Sequence, residues 1–176
     1  TDASIEEIFI ELLEDQSLAV RFNSTVEPLD ADSLADRARA LVVGLLEKYP
    51  GDTGALAALL LNHIELESGE AIYLPAGNMH AYLSGLGLEV MAASDNVIRG
   101  GLTSKHIDKA ELWQVADFSE LAKPLVSTKK LAEGLVEYPV AASEFRVYRA
   151  QISGSNLLAD IDLPAAAVIA CVSGEI

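Results

Sequence analysis

The sequence predicts an α+β chain, with helices over the first third and short strands with glycine-rich turns beyond. Three observations carry that reading. Apolar residues recur at steps of three and four from Ile5 to Leu61, and from Asn62 onward the apolar runs shorten and alternate with polar residues. The composition, 51% apolar in 176 residues, supplies core for one ordinary domain or two small ones.

Taken in order, Ser4 and Glu7 have the spacing of a capping box. Ile5, Ile8, Phe9, Leu12 and Leu13 then follow a helical stripe. A second helix is expected from Asp32-Ser33, through Leu34, Ala38, Leu41, Leu45 and Tyr49, until Pro50-Gly51 stops it. Asp52 or Thr53 can cap a third, short helix through Leu61. Strand candidates follow at Ile64-Glu65-Leu66-Glu67, Glu70 to Leu74, Ala81 to Leu83 and Leu88 to Ala92, at a spacing that suits a small β-barrel or sandwich. Residues 107–122 return to helical spacing, and Phe145 to Ile152 and Ala166 to Val172 are later strand candidates around a turn at 154–156. The resulting divisions are 1–61 helical, 62–106 strands and loop, and 107–176 a linking helix and further strands.

Charge narrows the function. Twelve basic residues against 27 acidic ones leave a net charge of −15. Phosphate backbones and anionic lipid surfaces reward basic proteins, so no nucleic-acid or membrane partner is expected. No apolar run reaches the ~18 residues of a membrane span. The acidic N-terminus lacks the layout of a signal peptide. The single cysteine, Cys171, has no internal disulfide partner and sits in an apolar run, so a buried thiol and a cytoplasmic setting are expected. The chain opens on a helix signal without an initiator Met and stops just after a turn, so a longer parent chain is expected.

The chemistry concentrates in residues 69–108. His80 follows the turn Pro75-Ala76-Gly77-Asn78, with Tyr82 two residues on and Glu89, Ser94, Asp95 and Asn96 close behind. Two readings stand: a core or turn histidine, or an imidazole aimed into a barrel mouth. Zinc takes three or four protein ligands, so one histidine is not a metal site alone. Arg99, Lys105 and Lys109 stand against Asp108 only, a local balance of +2 in an acidic chain. Gly100-Gly101 permits close backbone approach, and Thr103 and Ser104 add hydroxyls. Such a loop suits a phosphate or oxyanion, or else it pairs with acidic neighbours.

The composite of His80-Ala-Tyr-Leu-Ser-Gly85, Glu89-Val-Met-Ala and Ser94-Asp-Asn-Val-Ile-Arg99-Gly-Gly-Leu-Thr-Ser-Lys105 closely resembles the type I phosphomannose isomerases. That resemblance implies a cupin-type antiparallel β-barrel after the helices, incomplete at both ends here, and the beginning of a second barrel. It implies a zinc-dependent isomerase that interconverts mannose 6-phosphate and fructose 6-phosphate. His80 becomes a zinc ligand, Arg99 the principal catalytic cation, and Lys105 a group that binds substrate or stabilises charge. Tyr82 and Asp95 fall on substrate-pocket positions. Glu89 is either a proton carrier or a supporting carboxylate.

Departures accompany the likeness. The family's zinc site also uses a Gln-x-His pair and a separate Glu. Here Gln16, Gln114 and Gln151 are followed two residues later by Leu18, Ala116 and Ser153. Ser104 replaces a usual proline. The expectation is a middle-to-late portion of the enzyme, with one zinc ligand, weak zinc binding and little turnover on its own. The alternative is a non-catalytic cupin-like module that binds a sugar phosphate or a metal. Unpaired strand edges add self-association as a further expectation.

Overall fold

A computed structural model of the chain describes residues 4–23, 34–94, 96–121, 123–154 and 166–174. Among these residues five helices come in order: α1 (Ile5–Glu14), α2 (Gln16–Asn23), α3 (Leu34–Lys48), α4 (Gly54–Ala57), which runs on into a 3-10 turn at Ala58–Leu60, and α5 (Lys109–Val115). Three strands follow: β1 (Lys129–Ala132), β2 (Leu135–Tyr138) and β3 (Val147–Ala150).

Local chemistry sets the helix ends. The Glu7 N–H donates to Ser4 Oγ at 3.2 Å while the Ser4 N–H donates to Glu7 Oε2 at 2.8 Å, the reciprocal cap that the spacing predicts. The Ser17 N–H donates to Asp15 Oδ1 at 2.9 Å, which starts α2 one residue after α1 ends. The expected cap of α3 at Asp32-Ser33 lies outside the described residues. Its buried stripe centres on Val42, Leu45 and Leu46, so the inward face is turned about one residue from the one expected. Asp52, not Thr53, caps α4: its Oδ1 accepts the Gly54 N–H at 2.8 Å. The buried Thr53 hydroxyl instead donates across the bundle to the Leu13 carbonyl at 3.2 Å.

The helices bury two apolar clusters. Ala19, Val42, Leu45, Leu46, Ala55 and Leu56 form the first. Phe9, Leu13, Ala57 and Leu112 form the second, with Trp113, Phe118, Met79 and Ile98 packed against it. The whole of α4, Gly54 to Ala57, is buried between α1 and α3. That is why its sequence is small and apolar on every face.

Helix α5 is shorter than the 107–122 expected. Asp108 caps it by accepting the Glu111 N–H at 3.0 Å. It ends when Ala116 turns extended and the Asp117 N–H donates to the Gly77 carbonyl at 2.9 Å. Beyond it the strands make one antiparallel sheet in the order β1-β2-β3. Glu137 faces Lys129 on one side and Tyr148 on the other, with a register shift between Lys130 and Ala132. The expected strand from Phe145 narrows to β3, and the β1–β2 hairpin around Glu133-Gly134 is an addition to the sequence reading.

The described residues of 61–106 form neither helix nor strand apart from one bridge. A strand is stable only when its backbone groups find a neighbour. Among the described residues of this stretch only 71–73 pair in strand fashion, through an isolated bridge between Ile72 and Leu125 and two bonds: Tyr73 N–H to the Pro124 carbonyl and Val126 N–H to the Ala71 carbonyl. The candidates at 64–67, 81–83 and 88–92 form no ladder among these residues. The 166–172 run behaves likewise, which corrects the expected burial of Cys171. It is exposed, with Sγ 3.4 Å from the Ser173 carbonyl oxygen. Among the described residues no helix is long and apolar enough to cross a membrane.

Candidate functional site

The turn that delivers His80 is built by Gly77, whose φ of +84° suits a residue without Cβ. A Cβ there would sit 2.6 Å from the Val115 carbonyl oxygen, so the turn is pressed onto the end of α5. His80 emerges exposed. Its Nδ1 lies 3.1 Å from the Asn78 carbonyl oxygen. The tautomer protonated at Nδ1 donates there and leaves the Nε2 lone pair for a metal or a proton.

Tyr82 stands where period-2 spacing puts it, beside His80, although no ladder forms here. The two rings meet edge to face with centroids 5.9 Å apart. The Tyr82 hydroxyl is pushed above its ordinary pKa, first by desolvation, then by the charge of Glu89 and a hydrogen bond with it. The residue as a whole is 72% exposed. His80, Tyr82 and Glu89 thus form one group.

The cationic loop is anchored on both sides of Arg99. Ile98 packs into the second apolar cluster and Leu102 into the first. Gly100 lies under Met79: a Cβ there would be 2.6 Å from Met79 Cε. The residue after Met79 is His80 and the one before Gly100 is Arg99, so this contact joins the histidine segment to the arginine loop. Arg99 is half-buried and Lys105 exposed, and neither pairs with a carboxylate among the described residues. The Lys105 N–H donates to Thr103 Oγ1 at 3.1 Å, a local turn that shapes the loop's far end.

Two sequence expectations change here. Lys109 is not a ligand cation; its Nζ donates to the Leu13 carbonyl at 2.5 Å. Gly101 brings the backbone close not to open solvent but to Gly54, where a Cβ would meet Gly54 Cα at 2.9 Å. Asp95 lies outside the described residues. The Asn96 N–H donates to Ser94 Oγ at 3.4 Å, a local side-chain-to-backbone bond. His63 and His106 are exposed. Sequence reasoning missed Met79, Gly54 and Leu102, whose roles depend on partners distant in the chain.

Among the described residues no three His, Cys, Asp or Glu side chains cluster to hold a metal. His80 fits as one nitrogen donor, but these residues do not make a zinc cage by themselves. A concavity along α1 is lined by Glu7, Ile10, Glu11, Glu14 and Asp15, an acidic surface that repels anions and lies apart from the loop residues.

No protein-family model matches the chain. It is 41% identical over 132 residues to the mannose-6-phosphate isomerase of Escherichia coli, covering 73% of this chain and 33% of that protein. The rat mannose-6-phosphate isomerase is 34% identical over 154 residues, or 84% of this chain and 36% of the relative. Among solved structures, an arginine-to-alanine mutant of phosphomannose isomerase from Salmonella typhimurium matches with a TM-score of 0.63 and 32% identity. That match covers 81% of this chain and 37% of the other. The chain thus spans about a third of the length of the curated relatives it matches.

Proposed function

The chain is homologous to the type I phosphomannose isomerases over 73% of its residues, and from that premise we propose that residues 80–105 are the cation-bearing wall of a sugar-phosphate isomerase site. The reaction is the interconversion of mannose 6-phosphate and fructose 6-phosphate. One observation supports this reading above the rest. Arg99 and Lys105, unpaired among the described residues, sit on a loop that Gly100 and Met79 join to the His80–Tyr82–Glu89 group.

Aldose–ketose isomerisation moves one proton between adjacent carbons and passes an enediol-like state with negative charge on oxygen. Arg99 supplies permanent positive charge for that oxyanion; one such donor is worth about 10²–10³ in rate. Lys105 supplies a mobile charge to the same substrate. Glu89 carries the proton, and the Tyr82 hydroxyl holds its carboxylate in place. His80 offers Nε2 to zinc, which when bound polarises sugar oxygens without redox chemistry. Asp95 belongs to the substrate-pocket positions of this reading.

The fold accompanies the function. Residues 1–61 act as a helical platform, 62–106 as strands and loop of a cupin-type barrel, and 107–176 as the link into a second barrel. A cytoplasmic setting is part of the proposal, supported by a lone cysteine that needs no oxidising compartment. A second reading has its own support. Among the described residues no three metal-binding side chains cluster, which suits a non-catalytic cupin-like module that binds a sugar phosphate or a metal.

The test is mannose 6-phosphate titrated into the chain with and without zinc, alongside a coupled assay for fructose 6-phosphate. Binding that falls in Arg99→Ala supports the site. Equal binding by wild type and Arg99→Ala rejects it, and full turnover by this chain rejects the module reading.

A further inference from the structure

We propose that the backbone contact between Gly54 and Gly101 is a positioning device, through which the helical platform sets the stance of the Arg99–Lys105 loop. The proposal rests on the sugar-phosphate reading only for the ligand used in one arm of its test.

The contact is reciprocal. A Cβ on Gly101 would lie 2.9 Å from Gly54 Cα, and one on Gly54 would lie 3.0 Å from Gly101 Cα and 3.2 Å from the Leu102 nitrogen. Main chain meets main chain, so no rotamer change relieves an added methyl. Asp52 Oδ1 closes the joint: it accepts the Gly54 N–H at 2.8 Å and would stand 3.1 Å from a Cβ on Gly101.

The next residue is also constrained. Leu102 has φ +52°, a left-handed conformation that costs a leucine energy and persists only when its surroundings enforce it. Its side chain packs on the first cluster, which Ala55 and Leu56 of α4 share with residues of α2 and α3. Three residues earlier, Arg99 is itself outside these contacts. The glycine joint and Leu102 therefore fix the loop's direction while leaving its cations unpaired among the described residues. Gly54 touches no substrate in this scheme; it acts through the loop.

A second helical glycine furnishes the control. A Cβ on Gly44, in α3, would meet nothing within 4 Å. Gly44→Ala and Gly54→Ala make the same chemical change on the same helical layer, one without a neighbour and one against the loop. The experiment is limited trypsin digestion of the full chain, which cuts after Arg99 and Lys105, with thermal melting and mannose 6-phosphate titration in parallel.

Gly54→Ala is expected to speed cleavage after Arg99 and Lys105 by about tenfold or more while cleavage after Arg37 and Arg39 in α3 stays slow. Sugar-phosphate affinity should fall with it, and Gly44→Ala should leave both unchanged. Unchanged cleavage at 99–105 in Gly54→Ala overturns the proposal, as does an equal change in Gly44→Ala. If Gly54→Ala fails to fold, Leu102→Ala decides, because it removes the same anchor without a clash. Faster loop cleavage with a resistant α3 supports positioning, and an unchanged loop overturns it. A wild-type chain that binds no sugar phosphate defeats the functional reading alone, since the proteolysis arm still judges the joint.

Discussion

Lys109 Nζ lies 2.5 Å from the carbonyl oxygen of Leu13, 96 positions earlier, and the Thr53 hydroxyl reaches the same oxygen at 3.2 Å. Leu13 is in the last turn of α1, where carbonyls have no partner within their own helix. A cation there also meets the negative end of the helix dipole. Three segments of the chain, the end of α1, the cap region of α4 and the start of α5, therefore converge on one acceptor. Since α5 follows the cationic loop directly, this junction also holds the loop's downstream end.

The two donors should be coupled. Lys109→Met removes a charge-assisted bond and should cost about 1–2 kcal/mol of unfolding free energy. Thr53→Val should cost about 1 kcal/mol, because Lys109 still satisfies the carbonyl. Together they leave that carbonyl unpaired, so the double variant should lose about 1 kcal/mol more than the sum. Urea unfolding of the four proteins measures this. Strict additivity would mean that water replaces both donors.

Gly69 makes a second kind of prediction. It has φ +88°, and a Cβ on it would lie 1.6 Å from Arg149 Nη1. The guanidinium is the far end of a flexible side chain and can swing away; the backbone angle cannot. Gly69→Ala should therefore destabilise by about 1–2 kcal/mol, and adding Arg149→Ala should restore little of it. The neighbouring bond from the Tyr138 hydroxyl to the Gly69 carbonyl, 2.6 Å and partly buried, anchors the same turn to the sheet. Tyr138→Phe should cost about 1 kcal/mol by the same measurement.

What the sequence discloses divides along the range of the interaction. The Ser4–Glu7 cap is legible because both partners lie within one turn of helix. The grouping of His80 and Tyr82 is legible because alternate residues of extended chain share a side. The runs at 81–83 and 88–92 have strand composition, but a ladder needs a neighbour, and composition says nothing of which segment arrives. The β1–β2 hairpin was missed for a related reason: Glu133-Gly134 lacks the Asn-Gly or Asp-Gly signature of a tight turn. Gly100-Gly101 declares a close backbone approach, yet only the folded chain identifies Gly54 and Met79 as the groups approached. Lys109 illustrates the same gap, since a charge count cannot separate a ligand cation from one already committed to a helix end.

If the loop binds a phosphate or oxyanion, its two cations should not be equivalent. Arg99→Ala and Lys105→Ala should each weaken mannose 6-phosphate binding by about tenfold or more, the value of one charge-assisted hydrogen bond. Arg99→Lys should recover only part of the loss, because an ammonium lacks the planar fork. Lys105→Arg should recover most of it, because Lys105 is exposed and acts as a mobile charge. Titration calorimetry at two salt concentrations checks this. Identical responses to both conservative changes would mean that the loop contributes only a diffuse field.

The Tyr82–Glu89 pair makes the last prediction, and its sign follows from the direction of the shift. Desolvation, then the charge of Glu89 and its hydrogen bond, raise the Tyr82 hydroxyl above its ordinary value. The folded chain therefore holds the phenolic proton more tightly than the unfolded chain does. The stability tied to that proton is fully present below the unfolded value, about pH 10, and declines as pH rises through the folded one. Neutral and acidic pH should leave it untouched. An ultraviolet titration of the five tyrosines should contain a late component that disappears in Tyr82→Phe. In Glu89→Gln that component should move to lower pH, because the negative neighbour is gone while the desolvation remains. A late component unmoved by Glu89→Gln would separate the two side chains and remove Tyr82 as the group that holds the carboxylate.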